Sequence, residues 1–140
     1  MGFRVNNVTI VGNITKDLEL RYTPNGVAIA SFGLAYNKGI KNKDTGEWTN
    51  IAEFFNVTAW KELAENCSNS LKKGDRVVVA GVLTQNKWES KEGEKRSAIN
   101  IMANVVAPSL EYATCIVAKI EKQPADSKDK VDFTDEDIPF

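Results

Sequence analysis

The sequence predicts an all-β domain, a five-stranded barrel with one short helix between the third and fourth strands and an acidic tail behind it. Three observations predict it. Apolar residues alternate with a period of two in short runs separated by turn signals. The period changes to that of a helix once, over residues 61–71. The last 18 residues, 123–140, carry no apolar periodicity.

Residues 4–14 alternate around Val8, Ile10 and Gly12 and read as a long first strand. The glycine there admits a bend or bulge. Thr15-Lys16-Asp17 is a turn, and Leu18 to Tyr22 is a short strand-like stretch. In Thr23-Pro24-Asn25-Gly26, proline fixes φ and Asn-Gly tolerates positive φ, which makes a strong turn. Residues 27–36 form the next strand, whose small residues Ala28, Ala30, Ser31, Gly33 and Ala35 suit a crowded surface. The polar stretch 37–50 reads as a long hairpin loop with Trp48 near its far end. Residues 51–60 return as a strand. Period two puts Phe55, Val57 and Ala59 on one face and Phe54, Asn56, Thr58 and Trp60 on the other.

In Lys61 to Leu71, the apolar residues Leu63, Cys67 and Leu71 recur at every fourth position, giving a short helix with a narrow stripe. Lys72 and Lys73 suit its C-terminal dipole, and Gly74 stops it. Arg76 to Thr84 is a mostly apolar strand, residues 85–95 form a second protruding loop carrying Trp88, and Arg96 to Val106 is the last strand. Three strands, a helix and two strands describe the OB-fold barrel, whose helix plugs one end. Residues 1–107 form this domain. Residues 108–122 are ambiguous: the alternation of Leu110, Tyr112, Thr114 and Ile116 permits an extra edge strand, while Leu110, Ala113, Val117 and Ile120 permit a helix, and a plain linker is the remaining reading. Residues 123–140 form an acidic tail expected to be disordered in isolation.

Composition narrows the function. The chain has 140 residues and a formal net charge of −1, which excludes a uniformly basic polyanion binder. That total hides an asymmetry: residues 1–107 hold 14 Lys/Arg against 11 Asp/Glu, whereas residues 108–140 hold 4 Lys against 8 Asp/Glu. Histidine is absent, which removes histidine metal ligation and histidine general-base chemistry. Cys67 and Cys115 form no CxxC pair. No glycine lies in a P-loop order, and no carboxylates form a defined local pair. No metal, cofactor or catalytic group is expected. Without a long apolar run or a signal-peptide pattern, the chain reads as a soluble, cytoplasmic protein with no membrane partner.

The aromatic residues point to chemistry. Trp60 ends a strand on the face opposite the inferred core, and Phe54 shares that face. Trp48 and Trp88 are flanked by polar residues, unlike core tryptophans. Exposed rings receive the π faces of unpaired nucleobases without reading sequence. Arg21, Lys61, Lys72, Lys73, Lys87 and Arg96 are the basic residues placed to meet phosphates. Single strands fit better than duplex, because a ring reaches a base face only when that base is unstacked. Capping of the barrel or a subunit interface is the alternative use of these rings. The tail ends in Asp135, Glu136, Asp137, Ile138, Pro139 and Phe140. Solubilisation explains the acids but not the apolar terminus, which suits docking in a basic-rimmed apolar pocket.

With these residues in place, the chain resembles the bacterial and phage single-stranded DNA-binding (SSB) protein family over residues 4–106 and the final six residues. The resemblance rests on Val11-Gly12-Asn13, Arg21-Tyr22-Thr23-Pro24-Asn25-Gly26, Phe54-Phe55-Asn56-Val57, Lys61-Glu62-Leu63-Ala64-Glu65, Lys72-Lys73-Gly74-Asp75, Lys87-Trp88 and the terminal Asp135 to Phe140. It implies stacking at Trp60, Trp88 and Phe54. Family members often carry another aromatic in the first long loop, where this chain has Ile40, with Trp48 offset from it. The resemblance further implies a homotetramer with DNA wrapped around it, a dimer interface through residues 4–11, and a tail tip that recruits replication and repair proteins. Sequence-independent ssDNA binding and protection during replication, recombination and repair is the expected function. An RNA-binding OB-fold accessory protein is the alternative.

Overall fold

The computed structural model describes residues 2–121. Its elements are β1 (Val8–Ile14), β2 (Glu19–Tyr22), β3 (Ala28–Lys41), β4 (Trp48–Trp60), α1 (Lys61–Ser70), β5 (Arg76–Glu89) and β6 (Lys95–Pro108). Hydrogen bonding runs β1-β5-β6-β4-β3-β2, and β1 also pairs with β3. That extra pairing closes five strands into the expected barrel, with β2 hydrogen-bonded outside the ring to β3. Every pair is antiparallel except β4 with β6, which is parallel.

The inward positions fill the barrel: Ile14, Ala30, Phe32, Leu34, Val57, Val77, Val79 and Ile101 are buried in one cluster. Helix α1 stands over one end, packed against β2, β3, β4 and β6. Ala64 and Cys67 are its buried residues, with Leu63 and Leu71 packed partly against the core. The Cys67 thiol is pushed up to about 11 by burial, so it stays protonated at neutral pH. The helix ends at Ser70, and Gly74 turns the chain toward β5 with φ +93°.

Gly12 permits close approach rather than a bulge. It sits beside the point where β1 begins to pair with β3. A Cβ there would meet Leu34 Cγ at 3.1 Å and press on the Ala35 carbonyl. The sheet irregularity falls instead between Ala80 and Gly81, opposite β6. The first strand starts at Val8, not at residue 4. Ahead of it, the Asn6 carboxamide imitates a strand neighbour, accepting from Leu83 N–H and donating to Leu83 C=O, both at 2.9 Å.

Both expected long loops are corrected. Residues 37–41 pair with residues 48–52, and residues 85–89 pair with 95–99, so strand continues almost to each tip. The connections shrink to short turns. Asn42 N–H donates to Glu47 C=O and Gly46 N–H to Asn42 C=O, each at 2.8 Å. In the other arm Ser90 N–H donates to Glu94 C=O at 2.8 Å. Gly46 and Gly93 take positive φ in these turns. Both faces of each arm meet solvent, so pairing there needs no apolar alternation and leaves none to read.

Residues 109–121 form neither strand nor helix. Hydrogen bonds and a ring contact hold their start. Ser109 N–H donates to Arg76 C=O at 2.8 Å, Arg76 meets Glu111 at 3.1 Å, and its guanidinium lies 5.7 Å from the Tyr112 ring centroid. Leu110, Ile116, Val117 and Ile120 are exposed. The tail 123–140, with Asp135, Glu136, Asp137, Ile138, Pro139 and Phe140, lies outside the described residues. Among the described residues, no helix is long and apolar enough to cross a membrane.

Candidate nucleic-acid interface

Strand β4 builds the centre of the site. Its pairing with β3 runs unbroken from Trp48 to Trp60. Unbroken period two therefore puts Trp48, Phe54 and Trp60, spaced six residues apart, on one face. Their spacing is about 20 Å between successive rings at a strand rise of about 3.3 Å. Trp48 is 69%, Phe54 70% and Trp60 42% exposed. The intervening Val57 and Ala59 point into the core. Burial of those odd-numbered residues fixes the register and so holds the even-numbered rings outward.

The face continues across the sheet. Asn56 is the partner of Asn100 on β6, and Asn100 is the partner of Thr84 on β5. Four residues along β5 from Thr84, on the same side, is Trp88, 49% exposed and opposite Arg96. In the other direction, Trp60 is opposite Ile29 on β3, and Ile29 is opposite Arg21 on β2. Arg21 therefore lies on the same face, two strand spacings or about 10 Å from Trp60. The structure thus unites four rings, Arg21 and Arg96 on one continuous outer surface.

The remaining predicted basic residues are placed differently. Lys87 is opposite Ser97, on the other side of the β5–β6 arm from Trp88. Lys61 follows Trp60 directly with φ +60°, a left-handed conformation uncommon for lysine that swings the chain from strand into helix. Lys72 and Lys73 lie in the turn after the helix. The Lys72 N–H donates to Asp75 Oδ2 at 3.0 Å and the Lys73 N–H to Asp17 Oδ1 at 2.9 Å. Their placement is at the barrel rim, with Lys73 tied to the ring-bearing face through Asp17. Arg96 reaches Glu94 at 3.4 Å, an exposed pair that restrains it little.

Ile40 is opposite Thr49, so it lies on the arm side away from Trp48. Trp48 packs over the backbone of Gly39, where a Cβ would come 3.5 Å from its Cε3. Trp48 is therefore a strand residue of the ring-bearing face, not a loop residue. A groove of about 290 Å³ in the middle of this face, whose lining includes Lys16, Asp17, Glu19, Arg21, Asn56, Asn86 and Asn100, adds residues beyond those the sequence predicts. The available signal was asparagine at outward strand positions, where that residue is ordinarily depleted.

An OB barrel bearing solvent-facing rings on a strand platform defines a class, the oligonucleotide-binding modules. Comparison with known proteins makes the assignment particular. Residues 5–109 match the single-strand binding protein family. The chain is similar to the single-stranded DNA-binding protein of Mycobacterium tuberculosis, 46% identical over 116 residues, covering 82% of this chain and 71% of that protein. Its counterpart in Corynebacterium glutamicum is 45% identical over 114 residues, covering 81% of this chain and 51% of that protein. That of Paenarthrobacter aurescens is 40% identical over 116 residues, covering 82% and 68%. This chain belongs to the single-strand binding protein family.

Proposed function

We propose that this protein binds single-stranded DNA without sequence preference and protects it during replication, recombination and repair. Bases stack on Trp48, Phe54, Trp60 and Trp88, while Arg21, Arg96 and the lysines Lys61, Lys72, Lys73 and Lys87 meet phosphates. The observation that carries this reading is the alignment of four exposed rings on one unbroken outer face. Family membership and relatives named for single-stranded DNA binding support it. The protein acts as a non-enzymatic cytoplasmic binder.

The assembly is a homotetramer built from dimers. A free edge supports the dimer contact at residues 4–11: β1 pairs with β5 from Val8 to Asn13 but with β3 only at Asn13 and Ile14. The tip Asp135 to Phe140 recruits replication and repair proteins. Titration with oligo-dT, followed by tryptophan fluorescence, tests binding, and native mass measurement with a 70-base oligonucleotide tests assembly. Saturable quenching and one strand per tetramer are expected. Unchanged fluorescence would refute the reading, and tighter binding to the same-sequence RNA would favour an RNA-binding role. Removal of residues 135–140 should preserve DNA affinity and abolish partner capture. Retention of every partner would refute the role of the tip.

A further inference from the structure

Three asparagines face outward in the groove between the rings: Asn56 on β4, Asn100 on β6 and Asn86 on β5. Asn56 and Asn100 are register partners on adjacent strands, about 5 Å apart. Asn86 is diagonal to Asn100, since it pairs with Ala98 two residues before it. Two of the carboxamides stand near a ring: Asn56 lies two residues from Phe54 and Asn86 two residues from Trp88, on the same face of its strand.

These side chains hold nothing in the fold. Among the described residues no hydrogen bond engages the carboxamides of Asn56, Asn86 or Asn100. By contrast, Asn6, Asn13 and Asn42 use theirs to tie backbone or side chains together. The charge of the groove does not mark its asparagine end for a phosphate, which Arg21 is placed to meet beside Trp60, four residues along β4 from Asn56. Lys16 and Arg21 are balanced there by Asp17 and Glu19. A balanced, amide-lined cleft suits a neutral polar ligand.

We propose that this groove is a base-edge subsite: it takes an unpaired nucleobase and hydrogen-bonds its Watson–Crick edge through Asn56 and Asn100, with Asn86 serving the base stacked on Trp88. The proposal rests on the reading of the face as a single-strand platform. A carboxamide offers one acceptor and one donor side by side. Each base offers an acceptor beside a donor on the same edge: N1 and the amino group of adenine, N3 and the amino group of cytosine, N3–H and O4 of thymine, N1–H and O6 of guanine. Rotation of the carboxamide by half a turn exchanges its two groups. The same asparagine therefore accepts all four bases, and sequence tolerance survives. Selectivity falls instead on pairing state, because a duplex base has this edge occupied.

The test compares oligo-dT with an oligonucleotide of the same length made of N3-methylthymidine, which stacks but has lost the N3–H donor. Full-length wild-type protein and the double variant Asn56→Ala/Asn100→Ala are titrated with both, with thermal melting to establish folding. Wild type should bind the methylated strand about three- to tenfold more weakly. The double variant should bind oligo-dT more weakly by a similar factor and distinguish the two strands less than wild type does. Its salt dependence should be unchanged, since phosphate contacts remain. Equal wild-type affinity for both strands overturns the subsite, as does full discrimination retained by the variant. If the double variant melts early, Asn86→Ala is judged by the same criteria. Failure of wild type to bind either strand would instead defeat the single-strand platform itself.

Discussion

Two substitutions three residues apart on β4 should have opposite consequences. Phe54 is 70% exposed and Val57 is 1% exposed. Phe54→Ala removes a ring that the barrel does not use, so stability should move by no more than about 0.5 kcal/mol. Loss of one stacking position should weaken oligo-dT binding by about 1–3 kcal/mol, or about 5- to 150-fold in Kd. Val57→Ala deletes two buried methyl groups worth about 0.8 kcal/mol each and leaves a cavity, about 2–3 kcal/mol in all. That lowers the melting temperature by about 10 °C for a domain of this size. Its affinity, measured well below the transition, should stay within twofold. Fluorescence titration and thermal melting followed by circular dichroism read both quantities. Unchanged affinity in a normally melting Phe54→Ala protein would refute the stacking assignment, and early melting of that variant would place the ring in the core.

The two cysteines should separate chemically: iodoacetamide at neutral pH should label exposed Cys115 and spare Cys67, whose burial raises its pKa, as intact-mass measurement would reveal. Glu111 is held below the ordinary carboxylate range by its hydrogen bonds to Arg76 first and Ser109 second, and by the Arg76 charge. A lowered folded pKa contributes stability above the unfolded value, lost as pH falls through the lowered one. Glu111→Gln should therefore flatten the acid limb of the profile reporting order at residues 109–112, and an unaltered limb would count against the Arg76 clasp. Gly81→Ala should destabilise by about 2 kcal/mol or more, because the added Cβ would run into the Met102 carbonyl and the Ala103 backbone. A normal melting curve would show that β6 yields there.

The barrel was legible because burial on one side of each strand imposes alternation. Val57 and Ala59, Val77 and Val79, Ile101 and Ala103 all print the core into the sequence. The helix was legible from one change of period. The arms were not, since Gly39 and Asn50, like Lys87 and Ser97, are paired by backbone bonds that leave no mark on side-chain choice. For that reason Trp48 and Trp88 read as loop residues. The rings themselves were found from their polar flanks, but their common face emerged only from register. Residues 109–121 stayed open for another reason: alternation of Tyr112, Thr114 and Ile116 suits a strand as well as a linker, and among the described residues no strand pairs with them. The asparagines leave a weaker signal: the residue is depleted at strand positions, but only register and free carboxamides bring the three together.

The four rings do not stand on equal ground. Phe54 and Trp60 flank core positions of β4, where the opposite side of the strand is buried. Trp48 and Trp88 stand near the tips of two-stranded arms with solvent on both sides. An isolated two-stranded ribbon is marginally stable in water, so the arms owe their order to the barrel at their base. Ordering an arm against DNA costs conformational entropy, which subtracts from what its ring contributes. A base stacking on Phe54 or Trp60 meets a surface already fixed by Val57 and Ala59. On the proposed reading, the barrel is the rigid centre of the interface, and the arms are adaptable extensions suited to a strand of irregular course. The same division suits the proposed asparagine subsite: directed hydrogen bonds need fixed donors and acceptors, and Asn56 and Asn100 stand where β4 and β6 are anchored by Val57 and Ile101.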